Sequence, residues 1–462
     1  MTPRFRFNAA GCGRAAIFLL VFALTLTIRV WKIDQHFWLL EDQIRDWAIA
    51  LGPLRDLPLV GPPTHVHGYT IGPAFYGMLW LIRVIVGPWF DNLPHAGGIG
   101  QAVLQSAADT MLLAAVWRRT NSVWIALATI VLLATAAYDL CLSALVWNPM
   151  MGSALAKMAT ALVLLKWPER SARGVAVAAA LAWCAVQAYT GAVFVAVGVF
   201  TALLAPPFAR RDWTAVRRNA GIIVLVVAAL QVPYALHQFS SRFADSGMSA
   251  VTGSVGRIMT GQEAPQFAKS WMQFVGAFNF ILVFPRRLPW AIWVLVLCSA
   301  VVASRFRRDL SLLSVTLLPQ VAAIIGYAFY VGDFLDYYYY LSLMPAAVLT
   351  LMLSVTALRP AWLAHTVGLA VLLGALSIVP ARIRVAATLH RMPEYGALVQ
   401  GSRELVQQGR AMRAIQTEFV LPPTSDSQFI YRILGGRLDS ASSWIGIIQS
   451  DGHVSYKEVG SL

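Results

Sequence analysis

Charged residues, and acidic residues above all, are scarce in this sequence. Of its 462 residues only 22 are Asp or Glu, against 36 Lys and Arg, and all charged residues together make up 13%. Hydrophobic residues make up 58%. This composition excludes a disordered chain or an ordinary soluble protein, and it indicates a polytopic membrane protein.

Cysteines and nucleotide-binding motifs are also lacking. The four cysteines are scattered and show no Cys-x-x-Cys or metal-ligand spacing, so we expect no disulfide framework. No Walker or Gly-x-Gly-x-x-Gly motif stands in a suitable context, and the predicted cytoplasmic loops are too short to fold a nucleotide-binding domain. The sequence therefore does not indicate use of ATP or of a cytosolic nucleotide-sugar.

Apolar runs alternate with short polar segments over most of the chain. This pattern predicts an all-α transmembrane domain over residues 1–379 and a small α/β domain over residues 380–462. We predict about eleven transmembrane helices, at 14–31, 98–117, 121–138, 150–167, 174–190, 191–206, 219–237, 288–304, 310–330, 338–357 and 361–379.

Whether the apolar run at residues 71–87 crosses the membrane determines on which side of it each later loop lies. It is short, contains Arg83 and has Gly-Pro at both ends, so it is a poor span. If it crossed, the arginine-rich loops would face outward, against the positive-inside tendency. We therefore predict one external loop over 32–97, a cytoplasmic N-terminus and an external C-terminus. On this topology the net charge of +14 lies mainly in cytoplasmic loops, so no nucleic-acid partner is needed.

The first external loop contains a cluster of charges beside the membrane. Residues 41–52 predict a short amphipathic helix in which Asp42, Arg45 and Asp46 share one face and Glu41 precedes Arg45 by four positions. Such a helix holds carboxylates at the membrane surface against an apolar wall. The alternative is a solvated interfacial helix with internal ion pairs, and composition alone gives the two similar weight.

The C-terminal segment is polar enough to form a small external domain that docks on the membrane part. Residues 394–415 have helical periodicity, and residues 428–434 are interpreted as a strand. Residues 444–459 are interpreted as a hairpin with its turn at Asp451-Gly452.

Other polar residues are placed near the outer face or within the spans. His65 and His67 can contact a sugar or a metal, although loop histidines more often bind nothing. Asp139, on the second external loop, is predicted to contact substrate. It stands without a second acid nearby, so a metal there is disfavoured. Asp109 and Lys157 are intramembrane charges, for which a structural pair is favoured over catalysis.

A further group is interpreted as lining a sugar site. Gln187 and Tyr189 lie near a predicted outer helix end, and Glu263 lies in the external loop 238–287, where a solvated surface acid is the alternative. Tyr340 belongs to a run of four tyrosines that indicates an interfacial belt and can also stack on sugars.

Several short blocks carry a family resemblance. They are Asp42-Gln43, Leu-Pro-Leu-Val-Gly-Pro-Pro at 57–63, Gly-Pro-Ala-Phe-Tyr at 72–76, Trp147-Asn148-Pro149 and Tyr-Leu-Ser-Leu-Met-Pro at 340–345. Together they resemble the GT-C superfamily of membrane glycosyltransferases. The similarity is closest to the family-39-like bacterial branch, which is related to protein O-mannosyltransferases and aminoarabinose transferases.

The resemblance implies a GT-C-like fold with juxtamembrane helices in the first external loop. It implies transfer of a sugar from a polyprenyl-phosphate donor to a lipid, glycan or protein acceptor on the periplasmic face of a bacterial inner membrane. Asp42 matches the general base of an inverting reaction, and Glu41 competes with it because the acidic pair is shifted by one. Tyr76 and Asn148 fall in matching blocks and are predicted to contact substrate, as are Arg45 and Asp46.

The leaving phosphate needs a hydrogen-bond donor, for which Arg45 is the nearest in sequence and Arg286 and Arg287 are alternatives. For these two, anchoring of the outer end of the span 288–304 is slightly favoured. No cofactor is specified, and a divalent metal stays an alternative. Two other functions are kept: a transporter or flippase of polyprenyl-linked glycans, and a non-catalytic assembly subunit of an envelope-glycan pathway.

Overall fold

The structure is a computed structural model and describes residues 9–31, 33, 37, 39, 41–64, 68–244, 247–283, 288–330, 337–389, 395–418 and 424–459. Helices dominate these ranges. Those of the first half are α1 Ala9–Val30, α2 Glu41–Ala50, α3 Ala74–Ile85, α4 Leu93–Thr120, α5 Val123–Ala134, α6 Ala137–Leu142, α7 Asn148–Leu164, α8 Ala172–Ala188, α9 Val193–Ala209 and α10 Trp213–Ser240. Those of the second half are α11 Gly247–Met259, α12 Phe267–Phe278, α13 Ala291–Arg305, α14 Leu310–Thr316, α15 Leu318–Ala328, α16 Met344–Val355, α17 Ala361–Leu389, α18 Tyr395–Gln407 and α19 Thr424–Ile433.

Each of the eleven predicted spans coincides with a helix or a pair of helices. Within the described residues, six helices are long and apolar enough to cross a bilayer, and the bent pair α14–α15 raises the number to seven. Several of the other predicted spans, such as α5, α8 and α13, correspond to shorter apolar helices of 10–17 residues. The structure therefore supports a multi-span helical membrane protein, and the number eleven stays a prediction.

Residues 71–87, predicted to lie at the interface, contain the short helix α3. Its 12 residues reach about 18 Å, well short of a hydrocarbon core about 30 Å thick. One side of α3 packs on α2 and α4. Arg83 of α3 fixes α2, since its Nη1 donates to the carbonyl oxygens of Ala50, Leu51 and Gly52 at 2.6, 2.5 and 3.0 Å. The guanidinium thus satisfies carbonyls left open at the C-terminal end of α2.

Close packing seats α2 on the membrane helices. Trp47 of α2 is fully buried, and a Cβ added at Gly97 of α4 would lie 2.0 Å from its ring. Only glycine leaves room for the indole at this point. The helix that carries the predicted charges therefore has one face fixed in the protein interior and the other open to solvent.

The C-terminal domain contains a three-stranded sheet of order β1-β2-β3: β1 Ala414–Thr417, β2 Trp444–Ile448 and β3 Val454–Glu458. β1 pairs with β2 in parallel, and β2 pairs with β3 in antiparallel register with Ile447 opposite Ser455. The predicted hairpin is therefore confirmed.

Two other predictions for this domain were wrong in part. Residues 428–434 belong mostly to helix α19 and are not a strand. Ser427, Ile430 and Tyr431 are buried there at helical spacing, so aromatic and β-branched content misled the strand interpretation. The helix predicted over 394–415 ends at Gln407, close to Gly409 with φ +69°, and the chain then enters β1.

The C-terminal residues dock on the segment between α1 and α4, in agreement with the predicted docking on the membrane part. The Tyr395 hydroxyl donates to Asn92 Oδ1 at 3.1 Å, and its ring packs on Phe37 and His95 with centroids 5.0 and 5.2 Å away. Arg403 pairs with Asp91 at 2.8 Å. Helix α19 also contacts α2.

Tyr395→Ala is expected to loosen this docking. The substitution removes a fully buried ring, and such truncations cost about 3–5 kcal/mol of stability. Limited proteolysis of the purified protein should then release the C-terminal domain, with a lowered unfolding temperature. Asp91→Asn is the matched control, because an exposed ion pair contributes only about 0–1 kcal/mol. Equal protease resistance of Tyr395→Ala and wild type would contradict the docking role.

Candidate active site

The charges of α2 form a connected cluster. Asp42 Oδ1 accepts from Arg45 Nη1 at 2.6 Å, and Asp46 Oδ1 accepts from Arg45 Nε and Nη2 at 2.9 and 2.8 Å. The Tyr76 hydroxyl of α3 donates to the same Asp46 oxygen at 3.0 Å. The i, i+3 and i+4 spacing brings Asp42, Arg45 and Asp46 to one face, which confirms the predicted helix and its charge face. Tyr76, predicted from the family blocks, joins them.

The two aspartates of this cluster have opposite environments. The Asp42 side chain is 59% exposed, whereas that of Asp46 is 5% exposed. Glu41 is exposed as well. The Asp42 carboxylate is therefore accessible from solvent, whereas the Asp46 carboxylate binds Arg45 from the protein interior.

Burial raises the pKa of Asp46 to about 6, although the charge and hydrogen bonds of Arg45 and the hydrogen bond from Tyr76 favour its ionised form. Burial also raises the pKa of the Tyr76 hydroxyl, and the neighbouring Asp46 carboxylate raises it further, so Tyr76 stays a donor. The cluster thus holds a buried carboxylate with a pKa of about 6, bonded to the half-buried Arg45 that also bonds the exposed Asp42.

A second charge cluster is buried between α1, α4, α6 and α7. Arg29 Nη2 lies 2.6 Å from Asp109 Oδ2 and 2.5 Å from Asp139 Oδ2. Lys157 Nζ lies 2.9 Å from Asp109 Oδ1 and 3.7 Å from Asp139 Oδ1. The side chains of Arg29 and Asp109 are fully buried. Two cations and two carboxylates therefore neutralise one another in the interior.

This second cluster confirms the predicted pairing of Asp109 with Lys157 and changes the view of Asp139. The prediction that no second acid lies near Asp139 was wrong, because Asp139 and Asp109 share Arg29 and Lys157 as partners. Arg29 was missed by sequence reasoning, since an arginine at the end of a first span is typical of an interface anchor. The substrate role predicted for Asp139 stays a prediction.

Gln187, predicted to contact sugar, connects the external loop to the bundle. Its Nε2 donates to Leu230 O and Gln231 Oε1 of α10 at 2.6 and 3.1 Å. Gln231 Nε2 in turn donates to Ile71 O at 2.9 Å, just before α3. These bonds hold the start of α3 in place, so the geometry gives Gln187 a structural contribution.

The remaining predicted sugar contacts lie between α7, α8 and the 3₁₀ helix Tyr337–Leu343. Asn148 Nδ2 donates to Ala188 O at 3.3 Å, and Tyr189 packs on the rings of Tyr338 and Tyr339. Tyr340 is fully buried. Their roles stay predictions.

Glu263 is partly exposed and pairs with Arg257 at 2.9 Å, as a surface acid does. His65, His67, Arg286 and Arg287 lie outside the described residues. Within the described ranges, no group of three or more His, Cys, Asp and Glu side chains is placed to hold a metal ion.

One further cation was missed by the sequence analysis. Arg382 of α17 is 1% exposed. It donates from Nη1 to Thr135 Oγ1 at 3.2 Å and from Nη2 to the carbonyl oxygen of Leu282, both neutral acceptors. The sequence places Arg382 just after the predicted span 361–379 and two positions after Pro380. A basic residue in that place is typical of an anchor at the membrane interface.

Comparison with solved structures identifies the fold. The chain is similar to ArnT from Cupriavidus metallidurans in the apo state, with TM-score 0.56 and 14% identity over 93% of this chain and 86% of that one. It is also similar to that protein bound to undecaprenyl phosphate, with TM-score 0.52 and 15% identity over 94% and 87%. The Archaeoglobus fulgidus oligosaccharyltransferase in complex with Zn and sulfate gives TM-score 0.51 and 11% identity over 91% and 62%.

No family model matches the sequence, and no curated protein matches it either. Both structural neighbours are GT-C glycosyltransferases, ArnT being an aminoarabinose transferase. The GT-C fold implied by the sequence resemblance is therefore confirmed.

Proposed function

We propose that this protein is a glycosyltransferase that moves a sugar from a polyprenyl-phosphate-linked donor to an acceptor on the external, periplasmic face of the membrane. The observation that carries the proposal is the exposed Asp42, held by Arg45 on a juxtamembrane helix of a GT-C fold. A neighbour of the same fold was solved with undecaprenyl phosphate bound, which supports a polyprenyl-phosphate donor.

The proposal includes the predicted topology. Eleven spans would place the N-terminus in the cytoplasm and the C-terminal domain in the periplasm of a bacterial inner membrane. In this orientation α2, Asp42 and the docked C-terminal domain share the periplasmic side. The acceptor is then a lipid, a glycan or a protein reachable from that side.

In the proposed reaction Asp42 is the general base. It takes the proton of an acceptor hydroxyl as the acceptor oxygen bonds to the anomeric carbon from the face opposite the phosphate, which inverts the configuration. The bond between that carbon and the phosphate oxygen breaks, and its electron pair stays on the phosphate. Glu41, exposed one residue earlier, is the competing base.

Arg45 and Asp46 position this base. Arg45 bridges the two aspartates, so the ionised Asp46 fixes the guanidinium that orients Asp42. The Tyr76 hydroxyl holds Asp46 from α3. The four side chains form one hydrogen-bonded chain from the interior to the solvent-facing carboxylate.

The transfer rate is expected to fall as the pH drops through about 6. Asp46 then takes up a proton, which weakens its hold on Arg45. Its pKa in the folded protein exceeds the ordinary value of 3.8, so proton uptake by Asp46 adds to the free energy of unfolding between pH 6 and pH 3.8. The titration of Asp46 thus lowers the rate without unfolding the protein.

The measurement is the pH–rate profile of wild type and Asp46→Asn, with the unfolding temperature followed at each pH. The variant should be slower than wild type above pH 6, should approach the wild-type rate below it, and should lack the acidic limb near pH 6. An identical limb in the variant would assign that limb to another group and contradict the role of Asp46.

The function itself is tested by incubating the purified protein with a panel of polyprenyl-phosphate sugars and candidate acceptors. Formation of glycosylated product is the expected result. Flipping of a polyprenyl-linked glycan in proteoliposomes, with no product from any donor, would replace this proposal with the transporter function. Neither activity, together with an envelope-glycan defect on deletion, would favour the assembly subunit.

A further inference from the structure

Arg382 is a buried cation that lacks an acidic partner among the described residues. Its hydrogen bonds go to the Thr135 hydroxyl and the Leu282 carbonyl, and its Nε is buried without any acceptor. The other deeply buried cations differ, since Arg29 and Lys157 each lie within ion-pair distance of both Asp109 and Asp139. An arginine keeps its charge in a protein, and a buried charge without a counter-ion is costly.

The position of Arg382 suits an anion that enters from the outer side. At the other end of α17, His365 contacts the Ser122 side chain at 2.9 Å, beside the start of α5. The 17 residues from there to Arg382 span about 26 Å of helix, close to the thickness of the hydrocarbon core. Arg382 therefore lies level with Thr135, just past the outer end of α5.

This level also contains the second charge cluster. Helix α17 packs on α6, which carries Asp139, and Leu282 belongs to the π-helix Asn279–Val283 that also packs on α6. On the proposed topology this level corresponds to the outer head-group region, where the phosphate of a lipid-linked sugar would lie with its chain among the membrane helices.

We propose that Arg382 binds the phosphate of the polyprenyl-phosphate carrier. This inference rests on the proposed function and names the cation that its leaving group requires. A guanidinium prefers phosphate oxygens to neutral acceptors, because charge-assisted and bidentate hydrogen bonds are about twice as strong. Arg382 exchanges its bonds to Thr135 and Leu282 for bonds to the phosphate.

The role in the reaction follows from the electron balance. When the bond from the anomeric carbon to the phosphate oxygen breaks, that oxygen keeps the electron pair and the phosphate gains negative charge. The acceptor oxygen forms the new bond, and its proton goes to Asp42. A cation at the phosphate stabilises the charge that develops there.

The test measures the affinity of the purified full-length protein for decaprenyl phosphate, without a sugar, by native mass spectrometry or a thermal-shift titration. Arg382→Met is expected to bind at least about tenfold more weakly, the loss typical of a charged hydrogen bond. Its unfolding temperature should equal or exceed that of wild type, because the described residues give this buried charge no acidic partner. Arg384→Met, an exposed neighbour on the same helix, is the matched control and should bind as wild type does.

Several outcomes would overturn the inference. Wild-type affinity in Arg382→Met would do so, as would a large fall in its unfolding temperature with neither folding nor binding restored by Arg382→Lys. Equal competition by phosphatidylglycerol would assign the site to ordinary phospholipid head groups. If wild type transfers sugar and Arg382→Met binds decaprenyl phosphate normally, only the inference about Arg382 is wrong. If wild type binds no polyprenyl phosphate at all, the proposed function itself is wrong.

Discussion

Asp42→Asn is expected to reduce sugar transfer by about 10²- to 10⁴-fold, the contribution typical of a general base. The amide has nearly the same size as the carboxylate, but it cannot take up the proton of the attacking hydroxyl. Because the Asp42 side chain is 59% exposed and its ion pair with Arg45 is a surface pair, the loss of stability should be no more than about 1 kcal/mol. The measurement is product formation by the purified variant, with thermal unfolding alongside.

Two variants serve as controls for this result. Asp56→Asn, an exposed acid of the same loop, should transfer at the wild-type rate. Glu41→Gln tests whether Glu41, rather than Asp42, is the general base. If Asp42→Asn stays active while Glu41→Gln is inactive, Glu41 is the base and the assignment of Asp42 is wrong.

Arg29→Met is expected to destabilise the membrane domain by about 3–5 kcal/mol, the typical cost of leaving a buried carboxylate without its partner. The fully buried guanidinium bonds Asp109, Asp139 and the Ser106 hydroxyl. Without it, Lys157 alone faces two carboxylates. The free energy of unfolding in mixed micelles, or the unfolding temperature where refolding fails, provides the measurement.

The double variant Arg29→Met/Asp139→Asn tests the electrostatic origin of that effect. It restores neutrality with Lys157 and Asp109, so it should be more stable than Arg29→Met alone, a non-additivity expected for charges in one network. Arg55→Met, whose side chain is 86% exposed, should change stability little. A double variant as unstable as the sum of its parts would show that packing dominates.

The sequence could predict features that depend on neighbouring residues. The face shared by Asp42, Arg45 and Asp46 follows from helical spacing alone, and α2 forms as predicted. Residues 71–87 likewise form a short helix, α3, as their length and terminal Gly-Pro pairs indicate, and its failure to cross stays a prediction. In each case the determining interactions lie within one or two turns.

Features that depend on distant pairs could not be predicted in this way. Arg29 and Asp139 are 110 positions apart, and nothing local to either indicates the other. Arg382 meets Thr135 across 247 positions, so it resembled an interface anchor until the fold brought those elements together. The error at residues 428–434 has a different origin, because residue preferences for strands outweighed a helical spacing of buried positions that only packing reveals.

The contact of α19 with α2 has a consequence for the order in which the protein assembles during its synthesis. Along the chain, the helix bearing Asp42 follows directly after α1, whereas α19 comes after α17. Because segments nearer the N-terminus are made first, the contact between α2 and α19 can form only after α19 has been made. A chain stalled after α17 would hold its membrane helices yet lack that contact.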